Sequence, residues 1–279
     1  MYATLIAAAA LWGAVAGLFV PRAAYRLSVE PEEEWRDACP AGHPFTGPAQ
    51  GWIGGARCAA CATAVPARTA EGEGAGEGTA AREPDAPATT APAAEAPAPC
   101  SQPLVPLVSA LVCTALAAAT GPRPELAVWL LITPIAVLLA LVDRNVHRLP
   151  DQLTLPLAAA AAALLGLAAL LPGDGGSWPT ALLGGLALGA AYFVLFLIHP
   201  NGMGFGDVKL ALSLGVVLGW YGWAVLFAGA FAGFLLGSLY GLGLMALRRA
   251  SRKTAIPFGP FMIVGALAGV LLGALAAAP

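Results

Sequence analysis

Eight long apolar runs dominate this chain, at about 3–20, 103–121, 125–142, 153–172, 178–198, 208–220, 222–247 and 256–277. A helix needs roughly 20 such residues to cross a bilayer core, and most of the runs come close to that. Lipid offers no partner to backbone N–H and C=O groups, so the peptide bonds must be satisfied within the protein. The fold class expected is therefore all-α: a polytopic membrane helix bundle of about eight transmembrane helices. The composition agrees. The chain is 58% hydrophobic and only 11% charged, with a mean hydropathy of +0.76, whereas soluble domains carry about a quarter charged residues. A net charge of −2 provides no basic field for nucleic acid. The sixth run is short and the seventh follows it closely. The string GWYGW at 219–223 is thus either a tight turn or an interfacial aromatic belt.

The first run lacks a basic amino-terminal region and is followed by Arg22 and Arg26, the reverse of a cleaved signal. Residues 1–20 are expected to be an anchor whose carboxyl end lies in the cytoplasm. Alternation then places 21–102, 143–152, 199–207 and 248–255 inside. These segments hold every Lys and Arg except Arg123 and Lys209, the latter just within the sixth run. The expected division is a small cytoplasmic insert at 21–65, a linker at 66–102 and a seven-span membrane-embedded domain at 103–279. Residues 66–100 contain no Val, Leu, Ile, Met or aromatic residue. Such a segment cannot bury enough apolar surface to offset chain entropy, so this Ala/Pro/Glu-rich linker is expected to be disordered.

Of 16 acidic residues, only Glu125, Asp143, Asp151, Asp174 and Asp207 lie beyond residue 100. Three of them, Asp143, Asp151 and Asp207, fall at cytoplasmic helix ends. Carboxylates at the edge of hydrocarbon are costly and usually mark a function or a paired site. Gly202, Gly204 and Gly206 precede Asp207, and glycine permits positive φ or a close approach of backbone. Non-helical backbone at that depth must be buried in protein or line a watered cavity. Two aspartates in one partly dry cavity can hydrolyse an amide without a metal, one activating water and the other polarising the carbonyl while the pair shares a proton. Helix dipoles favour the anion on Asp207, at a helix amino terminus, and the proton on Asp143, at a carboxyl terminus. Asp151 follows Pro150 and suits a helix N-cap instead.

Three strings resemble the type IV leader (prepilin) peptidases among the GxGD intramembrane aspartyl proteases: LVDRNVHRLPDQLTLP at 141–156, GFGDVKLALSLG at 204–215 and AIPFGPFMIVGA at 255–266. The resemblance implies an aspartic endopeptidase of the plasma (inner) membrane with Asp143 and Asp207 as its catalytic pair. It would remove the short basic leader from type IV prepilins or pseudopilins at the cytoplasmic face and need no cofactor to do so. Gly204, Gly206, Lys209, Pro257 and Gly259 would shape the site or meet substrate, and Lys209 could equally hold lipid phosphate. Many members also methylate the new amino terminus with S-adenosylmethionine and carry two C-x-x-C pairs after the first span. Here CPAGHP and CAAC supply Cys39, His43, Cys58 and Cys61, a set that can complete a tetrahedral zinc site or remain as free thiols. Membrane lipid is the other expected partner, and the oligomeric state is open. Two rival readings keep the aspartates: a signal-peptide-peptidase-like protease of other membrane helices, and a non-enzymatic ion-coupled transporter with a broken helix at 199–207.

Overall fold

The structure, a computed structural model, describes residues 2–30, 33–54, 58, 60–61, 104–200, 202–247 and 256–278. The linker expected at 66–102 lies wholly outside them. Eight long helices follow one another: α1 (Tyr2–Leu27), α2 (Leu104–Thr120), α3 (Glu125–Val146), α4 (Asp151–Ala168), α5 (Trp178–Ile198), α6 (Phe205–Gly219), α7 (Trp223–Ala246) and α8 (Gly259–Ala276). Six of them are long and apolar enough to cross a membrane, whereas α2 and α6 fall short of that length. The chain is a multi-pass membrane protein.

Helix α6 sits at the centre. Its 15 residues span about 22 Å at 1.5 Å per residue, less than the roughly 30 Å of a hydrocarbon core. Nearly every residue from Asp207 onward is buried, against α4, α5, α7 and α8. Neighbouring helices rather than lipid surround α6, so its length need not match the bilayer. Small residues allow the close approach that drives helix association in membranes. A Cβ on Gly215 of α6 would stand 2.5 Å from the carbonyl oxygen of Gly184 on α5. Glycines 233 and 265 bring α7 and α8 together in the same way.

Between α6 and α7 the chain makes a tight turn. Gly222 has φ +97°, and Trp220 is buried with its carbonyl accepting from the Ser177 amide at 2.9 Å. Trp220 therefore does not join an interfacial belt. At the same end of the bundle, Arg123 faces the fully buried Glu125 at 3.6 Å and donates to the Ala274 carbonyl at 2.6 Å. Glu125 also accepts from the Tyr221 hydroxyl at 3.5 Å. This network ties α3, α8 and the α6–α7 turn, and it gives Arg123 partners within the bundle.

Helix α1 continues through Pro21 to Leu27 because its last turns have protein to pack against. Arg22 lies over the Phe45 ring at 4.5 Å and Arg26 over Trp52 at 4.1 Å. The same two guanidinium groups donate to the carbonyls of Thr46 and Gln50 at 3.1 and 2.9 Å. The insert is thereby clamped to the end of α1, near the end of α3 that carries Asp143.

Candidate active site and metal centre

Asp143 lies in the last turn of α3, which His147 ends in the left-handed conformation (φ 53°), its amide bonding the Asp143 carbonyl at 2.8 Å. Asp207 lies in the first turn of α6, its amide bonding the Gly204 carbonyl at 3.0 Å. Both side chains are more than nine-tenths buried, at 4% and 8% exposure. Both line one cavity of about 1250 Å³, together with the α3–α4 loop, the glycine turn before α6, Pro257 and Phe258. Residues 64 positions apart in sequence thus share one pocket, and the charge on Asp143 acts on Asp207.

Each segment singled out in the sequence has a definite place. The Gly259 amide, first of α8, donates to Asp143 Oδ2 at 2.9 Å. That contact, at the positive end of α8, acts on Asp143 in the sense opposite to the dipole of α3. None of Gly202, Gly204 and Gly206 has positive φ. Close approach is what they supply: a Cβ on Gly206 would lie 3.0 Å from that of Leu149. Gly204 is the extended N-cap of α6 (ψ 142°). Pro257 lines the cavity, as does Lys209.

Asp151 separates from the pair. It is the first residue of α4, and the cap position itself is held by Pro150, which supplies no side-chain cap bond. Asp151 faces Lys209 Nζ at 2.5 Å, with 64% of the carboxylate side chain exposed. Lys209 also lies over the Phe205 ring at 4.7 Å. The ion pair is the contact sequence reasoning missed, because partners 58 positions apart leave no local signal.

The insert forms a second cluster. Donor atoms of Cys39, His43, Cys58 and Cys61 all lie within 4.8 Å of one another. Cys39 Sγ stands 3.7 Å from Cys61 Sγ and 3.5 Å from His43 Nδ1, which is 3.3 Å from Cys61 Sγ. A tetrahedral zinc with ligand bonds of about 2.0–2.3 Å has edges of about 3.3–3.8 Å, so the three separations fit that shape. Burial works to raise Cys39, but hydrogen bonds with the backbone at His43 and Ala41 and with the Cys61 and His43 side chains outweigh it and bring the thiol down to about 6. Cys61 is pushed up to about 11, by its hydrogen bond with Cys39 first and by burial second.

Residues 130–277 match the type IV leader peptidase family. A prepilin leader peptidase/N-methyltransferase of Aeromonas hydrophila is 34% identical over 187 residues, covering 64% of this chain and 61% of that protein. The protein of the same description in Pseudomonas aeruginosa is 34% identical over 176 residues, covering 61% and 58%. A third, in Burkholderia pseudomallei, is 29% identical over 179 residues, covering 61% and 54%. The match thus spans about three fifths of the length of these curated relatives. No solved structure matches.

Proposed function

The chain belongs to the type IV leader peptidase family, and from that premise we propose that it is a membrane-embedded aspartyl endopeptidase that removes the basic leader from type IV prepilins or pseudopilins. The observation that carries the reading is the meeting of Asp143 and Asp207, buried and on separate helices, in a single cavity at helix ends. The pair shares one proton. The ionised carboxylate takes a proton from water, and the oxygen attacks the scissile carbonyl. The protonated carboxyl gives its proton to the carbonyl oxygen, forming a neutral gem-diol. When the diol collapses, a proton passes to the departing amine and the C–N bond breaks. Gly259 holds Asp143 through its amide, Gly206 lets Leu149 close over the glycine turn, and Gly204 and Pro257 shape the walls.

In this reading the cavity faces the cytoplasm across the inner membrane, and residues 103–279 form the peptidase domain behind the anchor, insert and linker. The apolar segment of the substrate lies among the spans while its leader reaches the aspartates. Cys39, His43, Cys58 and Cys61 hold a structural zinc that fixes the insert. Methyl transfer from S-adenosylmethionine is a separate activity, read by labelled methyl on the cleaved product. The test of the central proposal is prepilin cleavage by purified protein. Asp143→Asn and Asp207→Asn should each reduce it more than about 10³-fold, in line with loss of a member of a catalytic unit. Normal cleavage by either variant would refute the assignment.

A further inference from the structure

We infer that the segment following α1 forms an acidic wall of the cavity and binds the basic leader of the substrate through Glu30 and Glu33. The inference rests on the peptidase reading and names what positions the leader. Both glutamates line the cavity that Asp143 and Asp207 open into, and both are solvent-exposed. Their backbone is held in place. Asn145, two residues past Asp143 on α3, donates to Ser28 Oγ at 3.1 Å, and Ser28 in turn donates to the Ala24 carbonyl at 2.7 Å. Downstream, the Arg36 guanidinium lies 4.7 Å from the Tyr25 ring centre. The Glu30 amide donates to Glu33 Oε2 at 3.4 Å, which holds the Glu33 carboxylate beside Glu30.

The charge balance of the cavity leaves these groups available. Among the described residues its cations are Arg148 and Lys209, and Lys209 is committed to Asp151. Neither Glu30 nor Glu33 has an ion-pair partner among the described residues. The buried aspartates fix where the scissile bond sits, and the leader lies on its amino-terminal side, outside the apolar segment. The solvent-exposed part of the cavity must therefore take the leader, and it carries Glu30 and Glu33, which have no ion-pair partner among the described residues. Opposite charges held at such a rim steer and position a ligand more than they stabilise a fold.

The experiment uses the full chain in neutral detergent, so that no anionic lipid can gather the leader. Two prepilin-derived peptides serve as substrates, one with its natural Lys/Arg leader and one with those residues replaced by Gln. Glu30→Gln/Glu33→Gln should raise KM for the basic peptide about three- to ten-fold, as expected for two exposed ion pairs. kcat should stay within about two-fold, and KM for the Gln peptide should not move. Glu30→Lys/Glu33→Lys should favour a peptide whose leader carries Glu. An unchanged KM for the basic peptide, or an equal rise for both peptides, would overturn the inference while leaving the peptidase reading intact. Failure of the wild-type protein to cut either peptide would overturn that reading and the inference with it.

Discussion

Replacing Gly259 with alanine tests the active site at the point where α8 meets the catalytic pair. The added Cβ would lie 2.8 Å from Asp143 Oδ2, 3.2 Å from its Cγ and 3.4 Å from its Cβ. Ordinary van der Waals contact begins near 3.4 Å, so Oδ2 must retreat by about 0.6 Å. A retreat of that size stretches the Gly259 amide bond from 2.9 Å toward about 3.5 Å, past useful hydrogen bonding. A hydrogen bond to a charged group is worth about 1.5–3 kcal/mol, and misplacement by about 1 Å costs about 10²-fold in rate. Both routes give a fall in kcat of about 10- to 100-fold. KM should stay within about three-fold, because the carboxylate and not the cavity wall has moved. Gly259 does not have positive φ, so its backbone conformation suits alanine and the protein should still fold, with a melting temperature lowered by the loss of the Asp143 contact. Single-turnover cleavage of a synthetic prepilin peptide reads the effect. Gly243→Ala is the matched control, since nothing lies within 4 Å of a Cβ at that position. A folded Gly259→Ala protein within two-fold of wild-type kcat would show that the contact does not govern the chemistry.

Asp151→Asn should keep activity within about three-fold, because the Asp151 side chain is 64% exposed and such pairs are worth about 1 kcal/mol or less; a loss as deep as that of Asp143→Asn would make Asp151 catalytic. The purified protein should contain one zinc per chain by elemental analysis. His43→Cys should retain the metal and His43→Ala should lower its occupancy; equal zinc content in the wild type and His43→Ala would remove His43 from the site. Gly215→Ala should destabilise the bundle by about 1–3 kcal/mol, read as a lower unfolding midpoint in detergent, because its Cβ meets the Gly184 carbonyl at 2.5 Å and a backbone atom cannot rotate away. An unchanged midpoint would mean that α5 and α6 are free to part.

Local chemistry in the sequence carried a great deal. Apolar length places the helices, since each crossing segment must satisfy its own backbone, and the eight runs correspond to α1 through α8. The pairing of a glycine turn with Asp207, and of Asp143 with a helix end, was also legible, because so few carboxylates remain in the apolar part of the chain. The four metal-type donors could be read from short spacings within residues 39–61.

Relations between segments distant in sequence were set by packing alone. The Gly259 amide reaches Asp143 across 116 positions, and no period or motif encodes that contact. It acts against the isolated α3 dipole, because a buried carboxylate responds to every helix end that faces it. Asp151 and Asp207 both stand in the first turn of a helix in the sequence pattern, yet packing buries one and leaves the other exposed beside Lys209. A sequence fixes which segments enter the membrane through local transfer energies. Which carboxylates share water there depends on how those segments pack, and that is a property of the whole bundle.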